Sequence, residues 1–108
     1  MTDVYKRSVQ KTRRWENNIY YKMAKSYSML GKILYAEDDF LTREIVGEKL
    51  EEEGYAVVLA KDGKEAWNEF QQNVFDAVIL DVDIPVYNGY EVASLIQSEN
   101  LQIPLIFY

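Results

Sequence analysis

Two apolar runs in this chain end abruptly in carboxylates. Ile33-Leu34-Tyr35-Ala36 leads into Glu37-Asp38-Asp39, and Ala77-Val78-Ile79-Leu80 leads into Asp81-Val82-Asp83. Short unbroken apolar runs suit strands covered on both faces. Helix-like stretches separate them, so the chain reads as alternating strand and helix. That alternation implies βαβ units on a parallel sheet with right-handed crossovers. In such a sheet the chemistry sits beyond the carboxyl ends of the strands. Glu37, Asp38 and Asp81 all fall at such ends.

The elements can be placed one by one. Ile33–Ala36 is a buried strand, and Leu41, Ile45, Val46 and Leu50 fall on one side of a helix. Gly54 is a helix stop after Glu51-Glu52-Glu53, three acids that read as a solvated face. Asp39 reads as the start of that helix rather than as part of a site. Tyr55–Ala60 is a second strand. Asp62-Gly63-Lys64-Glu65 resembles a capping box, with Asp62 as N-cap and Glu65 reaching back. Ala66, Trp67 and Phe70 form the inner side of the helix that follows. Asn88-Gly89 is a turn signal, Tyr90–Ser98 a helix with Val92, Leu95 and Ile96 inward, and Ile103–Phe107 a fourth strand.

The charge is uneven. Residues 1–32 carry eight Lys/Arg and two acids, whereas 33–108 carry four and sixteen. Residues 1–30 are therefore set apart from the domain at 31–108. Trp15, Ile19, Met23 and Tyr27 recur every four positions, as on an amphipathic helix. That segment reads as a basic helix or linker, or as a non-native leader. No direct nucleic-acid binding is expected from 31–108. The chain has neither cysteine nor histidine, which removes disulfides, thiolate nucleophiles and the usual zinc ligands. No apolar run approaches membrane-spanning length and no secretory signal core is visible, so a cytoplasmic protein without membrane contact is expected.

Carboxylates crowded at one sheet edge repel unless a positive charge sits between them. A hard divalent cation with oxygen ligands answers that need, and a phosphoryl group could then be handled at the same edge.

Residues 32–108 resemble the receiver domain of two-component response regulators. The resemblance rests on Lys32-Ile33-Leu34-Tyr35-Ala36-Glu37-Asp38-Asp39, on Ala60-Lys61-Asp62-Gly63-Lys64-Glu65-Ala66, on Asp81-Val82-Asp83-Ile84-Pro85-Val86-Tyr87-Asn88-Gly89, and on Ile103-Pro104-Leu105-Ile106-Phe107. It implies a flavodoxin-like doubly wound parallel sheet. It also implies a phosphorelay role: Asp81 as phosphoacceptor, Glu37 and Asp38 holding Mg²⁺ together with Asp81, and Asp83 giving the metal its backbone carbonyl. Pro85 and Gly89 would shape the loop beyond Asp81. The implied partner is a sensor histidine kinase or phosphotransfer protein acting in trans, since this sequence supplies no histidine. An output domain is also implied, and self-association would cover a sheet edge left exposed. The domain would be a signalling module modified on its own aspartate, not a turnover enzyme.

The family has five strands and the chain reaches the fourth. The switch Ser/Thr would follow Tyr108, and the phosphoryl-contacting lysine would end a fifth strand. The expected sheet is therefore incomplete, with an exposed edge at its fourth strand and uncovered apolar surface beside it. Two other functions fit some of these residues. One is a receiver remnant that binds partners without phosphate. The other is a haloacid-dehalogenase-like phosphohydrolase, whose Asp-x-Asp signature matches Asp81-Val82-Asp83; Pro85 and the two preceding βα units depart from that pattern.

Overall fold

The computed structural model describes residues 30–100 and 102–108. The amphipathic stripe expected around Trp15–Tyr27 lies outside the described residues. Seven elements follow in order: β1 (Lys32–Ala36), α1 (Phe40–Glu52), β2 (Ala56–Ala60), α2 (Gly63–Gln72), β3 (Ala77–Leu80), α3 (Gly89–Glu99) and β4 (Leu105–Phe107). The four strands form one parallel sheet in the order β2-β1-β3-β4.

This order explains where the helices lie. The chain steps from β1 outward to β2, then crosses back to β3 on the other side of β1. Crossovers of one hand in opposite directions put their helices on opposite faces. Val46 and Leu50 of α1 pack with Ile33, Tyr35 and Val57 on one face. Ala66 of α2 and Val92, Ala93 and Ile96 of α3 pack with Leu34, Ala36, Val78 and Leu80 on the other. Alternate residues of β1 thus enter two different cores, and Leu34, Tyr35 and Ala36 are essentially inaccessible. This is the flavodoxin-like, doubly wound arrangement expected.

The helix starts are chemically explicit. Asp39 caps α1 by accepting from the Thr42 N–H at 2.8 Å. Asp62 caps α2 by accepting from the Glu65 N–H at 2.7 Å. Glu65 does reach back, but to the Lys61 N–H at 2.8 Å, one residue earlier than a standard capping box. The complete box belongs to α3, where Asn88 and Glu91 bond each other's backbone N–H reciprocally. Asn88-Gly89 is therefore a helix start rather than a free turn. Gly54 ends α1 as expected, with φ +111°.

One expected face is corrected. Leu41 and Ile45 share the helical spacing of Val46 and Leu50, yet they are 65% and 55% exposed. The α1 face against the sheet is formed by Val46 and Leu50 with Gly47 between them. A β-carbon at Gly47 would come within 2.9 Å of a Leu59 methyl, so the helix lies close there and turns Leu41 and Ile45 outward. On β4, Ile106 is also 51% exposed.

Candidate functional site

The strand order reverses at β1, which leaves a crevice beyond the carboxyl ends of β1 and β3. Register fills it with acid. Ala36 pairs with Leu80, so the next residues, Glu37 and Asp81, emerge side by side. The ladder continues through them: Asp81 N–H donates to Ala36 O at 3.0 Å, and Glu37 N–H donates to Ala60 O at 2.9 Å. Glu37, Asp38 and Asp81 each offer an oxygen within 4.8 Å of the others. The three residues expected to meet therefore do.

Asp83 behaves differently. Its side chain is outside that set, and its N–H donates to Asp81 Oδ1 at 3.1 Å. That bond fixes the Asp81 carboxylate at the strand end. The Asp39 carboxylate serves as the α1 cap. Its bond to Thr42 holds its carboxyl below the usual carboxylate value.

The carboxylates differ in exposure. Glu37 is 4% exposed, Asp81 intermediate and Asp38 exposed. A buried carboxylate requires hydrogen-bond donors. Asp39 N–H donates to Glu37 Oε2 at 3.0 Å, and the Tyr108 phenol bonds Oε1. The Tyr108 and Tyr35 oxygens are 2.9 Å apart, and their rings lie 6.0 Å apart. Burial, and then the bond to Glu37, push the Tyr108 phenol well above the ordinary tyrosine value. Burial likewise raises Tyr35.

Sequence reasoning missed three participants here. Tyr35 reads as a plain strand residue, and Tyr108, just past the expected fourth strand, carries no assigned role. Arg43, on the first turns of α1, donates from Nη1 to Glu37 O at 2.8 Å and to Asp38 O at 3.3 Å. The guanidinium thus pins the backbone of the acidic turn. A basic residue four positions after the Asp39 cap was the available signal.

The loop from β3 to α3 is anchored at both ends. Pro85 O accepts from the Gly63 N–H at 3.0 Å, and Gly89 N–H donates to Val82 O at 3.0 Å. Between these anchors Val86 has φ +73°, a region that a β-branched residue rarely occupies.

An all-carboxylate donor set without nitrogen or sulfur fits a hard cation such as Mg²⁺ and does not suit zinc or copper. Among the described residues no helix is long and apolar enough to cross a membrane.

Known proteins share this fold. Residues 33–108 match the response regulator receiver domain. The transcriptional regulatory protein CrdR of Helicobacter pylori is 40% identical over 80 residues, which are 73% of this chain and 38% of that protein. The curated relatives compared are all much longer; the chain spans 29% to 38% of their length. Among solved structures, CheY4 of Vibrio cholerae superposes with a TM-score of 0.70 at 32% identity, over 73% of this chain and 68% of that one. The response regulator TrrA of Thermotoga maritima, solved with Mg²⁺-BeF, gives 0.69 at 36% identity over 72% and 68%. TrrA in complex with the histidine kinase ThkA gives 0.67 at 36% identity, over 72% and 67%. The chain accordingly belongs to the response regulator receiver domains.

Proposed function

We propose that Asp81 is the phosphoacceptor of this receiver and that Glu37, Asp38, Asp81 and the Asp83 carbonyl hold Mg²⁺ beside it. The observation that carries this reading is the convergence of three carboxylates from β1 and β3 within 4.8 Å. Support for the partner comes from TrrA, which is known in complex with a histidine kinase. Its Mg²⁺-BeF complex supports the cation. The reading places this chain in the cytoplasm, downstream of a kinase or phosphotransfer protein. The much longer curated relatives, transcriptional regulators among them, suggest an output domain.

The Asp81 carboxylate attacks the phosphorus of a phosphohistidine supplied in trans. The new O–P bond forms as the N–P bond breaks, and the imidazole nitrogen leaves with the electron pair. The product is an acyl phosphate on Asp81. Asp83 N–H holds Oδ1 and so orients the carboxylate for attack. A bound divalent cation would neutralise charge between the carboxylates and the incoming phosphoryl oxygens. Glu37 and Asp38 are placed beside Asp81 by the β1–α1 turn, which Arg43 braces.

A hydrolase using Asp81 and Asp83 needs the Asp83 carboxylate in the site. Its side chain lies outside the converging set, which favours the receiver. Incubation with acetyl phosphate and Mg²⁺, followed by intact mass, tests the proposal. One phosphoryl adduct is expected on the wild type and on Asp83→Asn, and none on Asp81→Ala. An adduct retained by Asp81→Ala, or none on the wild type, rejects it.

A further inference from the structure

Glu37 is the one buried charged side chain among the described residues. Its two oxygens are engaged from different parts of the chain. Oε2 takes the N–H of Asp39, a local contact, whereas Oε1 takes the phenol of Tyr108, 71 residues away. Tyr108 is held in turn by the sheet: its N–H donates to Leu80 O at 3.2 Å, and Val82 N–H donates to its carbonyl at 3.2 Å. A proton count sets the direction of the side-chain bonds. The Glu37 carboxylate only accepts, so Tyr108 must donate to it. The single Tyr108 proton is then used, and Tyr35 must donate to the Tyr108 oxygen across their 2.9 Å separation. The result is a directed chain, Tyr35 to Tyr108 to Glu37, in which each bond polarises the next.

We infer that Tyr108, backed by Tyr35, is a positioning residue that sets the Glu37 carboxylate for cation binding. The inference rests on the metal site proposed above. A carboxylate oxygen carries two lone pairs, so a donor on Oε1 fixes the group without exhausting its capacity to ligate. Outer donors of this kind orient metal-binding carboxylates, and their loss costs about 10- to 100-fold in affinity. Tyr108 thereby couples the last strand of the described sheet to a ligand on the first.

Mn²⁺ titration of the full chain, read by loss of the free-ion EPR signal, tests this without any phosphoryl transfer. Tyr108→Phe keeps the ring against Tyr35 and removes only the donor. It should weaken Mn²⁺ about tenfold, and Tyr35→Phe should weaken it less. In a Glu37→Gln background Tyr108→Phe should add nothing, because the group it positions is no longer a carboxylate. Unchanged affinity in Tyr108→Phe overturns the inference, as does an equal loss with and without Glu37. Should Tyr108→Phe fail to fold, unchanged affinity in Tyr35→Phe overturns it. A wild type that binds no Mn²⁺ removes the metal site itself and the inference with it; wild-type binding that is indifferent to Tyr108 removes the inference alone.

Discussion

A β-carbon on Gly89 would stand 2.6 Å from the carbonyl oxygen of Asp81, closer than side-chain carbons ever approach. The same carbon would lie 2.9 Å from Val82 Cα. The first turn of α3 is therefore pressed against the backbone that presents the proposed phosphoacceptor, and only glycine permits the approach. Gly89 N–H donates to Val82 O, so contact and hydrogen bond occupy the same spot.

We expect Gly89→Ala to push α3 away from the end of β3. Backbone cannot give way as a flexible side chain can, so the cost should be about 1–3 kcal/mol, as for overpacking in a core. Mn²⁺ affinity should fall as well, because Asp81 and Val82 shift with the loop. Urea unfolding and the EPR titration measure the two effects. Wild-type values in both would mean that the α3 start is looser than this contact implies.

The strained residue lies three positions earlier. Val86 holds φ +73° because its neighbours are fixed: Pro85 O bonds Gly63 N–H, and a β-carbon on Gly63 would fall 1.8 Å from Tyr87 O. The loop and the start of α2 are thus in direct backbone contact on either side of Val86. A left-handed conformation costs an L-residue roughly 1–2 kcal/mol, and β-branching worsens it. The Val86 side chain is 65% exposed and buries little in return. Val86→Asn should therefore stabilise the fold by about 1 kcal/mol, since asparagine tolerates this region. Val86→Pro, locked near φ −65°, should destabilise it. Urea midpoints in the reverse order would show that the loop relaxes when the residue changes.

What the sequence made legible, and what it hid, follows from the range of the interactions. The strand runs were readable because burial on both faces leaves continuous apolar residues. The meeting of Glu37, Asp38 and Asp81 was readable because parallel topology places strand ends together. The α1 face misled because Leu41, Ile45, Val46 and Leu50 satisfy helical spacing while Gly47, invisible to an apolar count, sits too near Leu59 to carry a β-carbon. Asn88-Gly89 signals a turn by local preference, whereas Glu91 at the third helical position completes a capping box. Tyr108 carried no local signal at all. Its role depends on Tyr35 and Glu37, 73 and 71 residues away, and only the register of β1, β3 and β4 brings them together.

That tyrosine pair also makes an alkaline prediction, best tested with EDTA present so that no cation alters Glu37. Both phenols have pKa values raised above the ordinary 10.0, chiefly by burial, with the Glu37 carboxylate opposing a second negative charge nearby. The sign follows from proton counting. Above pH 10.0 the unfolded chain loses these protons while the native state keeps them, so the native state binds more protons and stability falls as pH rises. The pair's full contribution is present below pH 10.0 and is lost progressively above it. Tyr35→Phe and Tyr108→Phe should each flatten the decline in urea-derived stability on the alkaline side. Comparison with the wild type cancels the other tyrosines. Phenolate absorbance should show fewer groups ionising in the native wild type than in the unfolded chain over the same range. A decline equally steep in both variants would mean that these two phenols titrate as freely folded as unfolded, and would break the directed chain to Glu37.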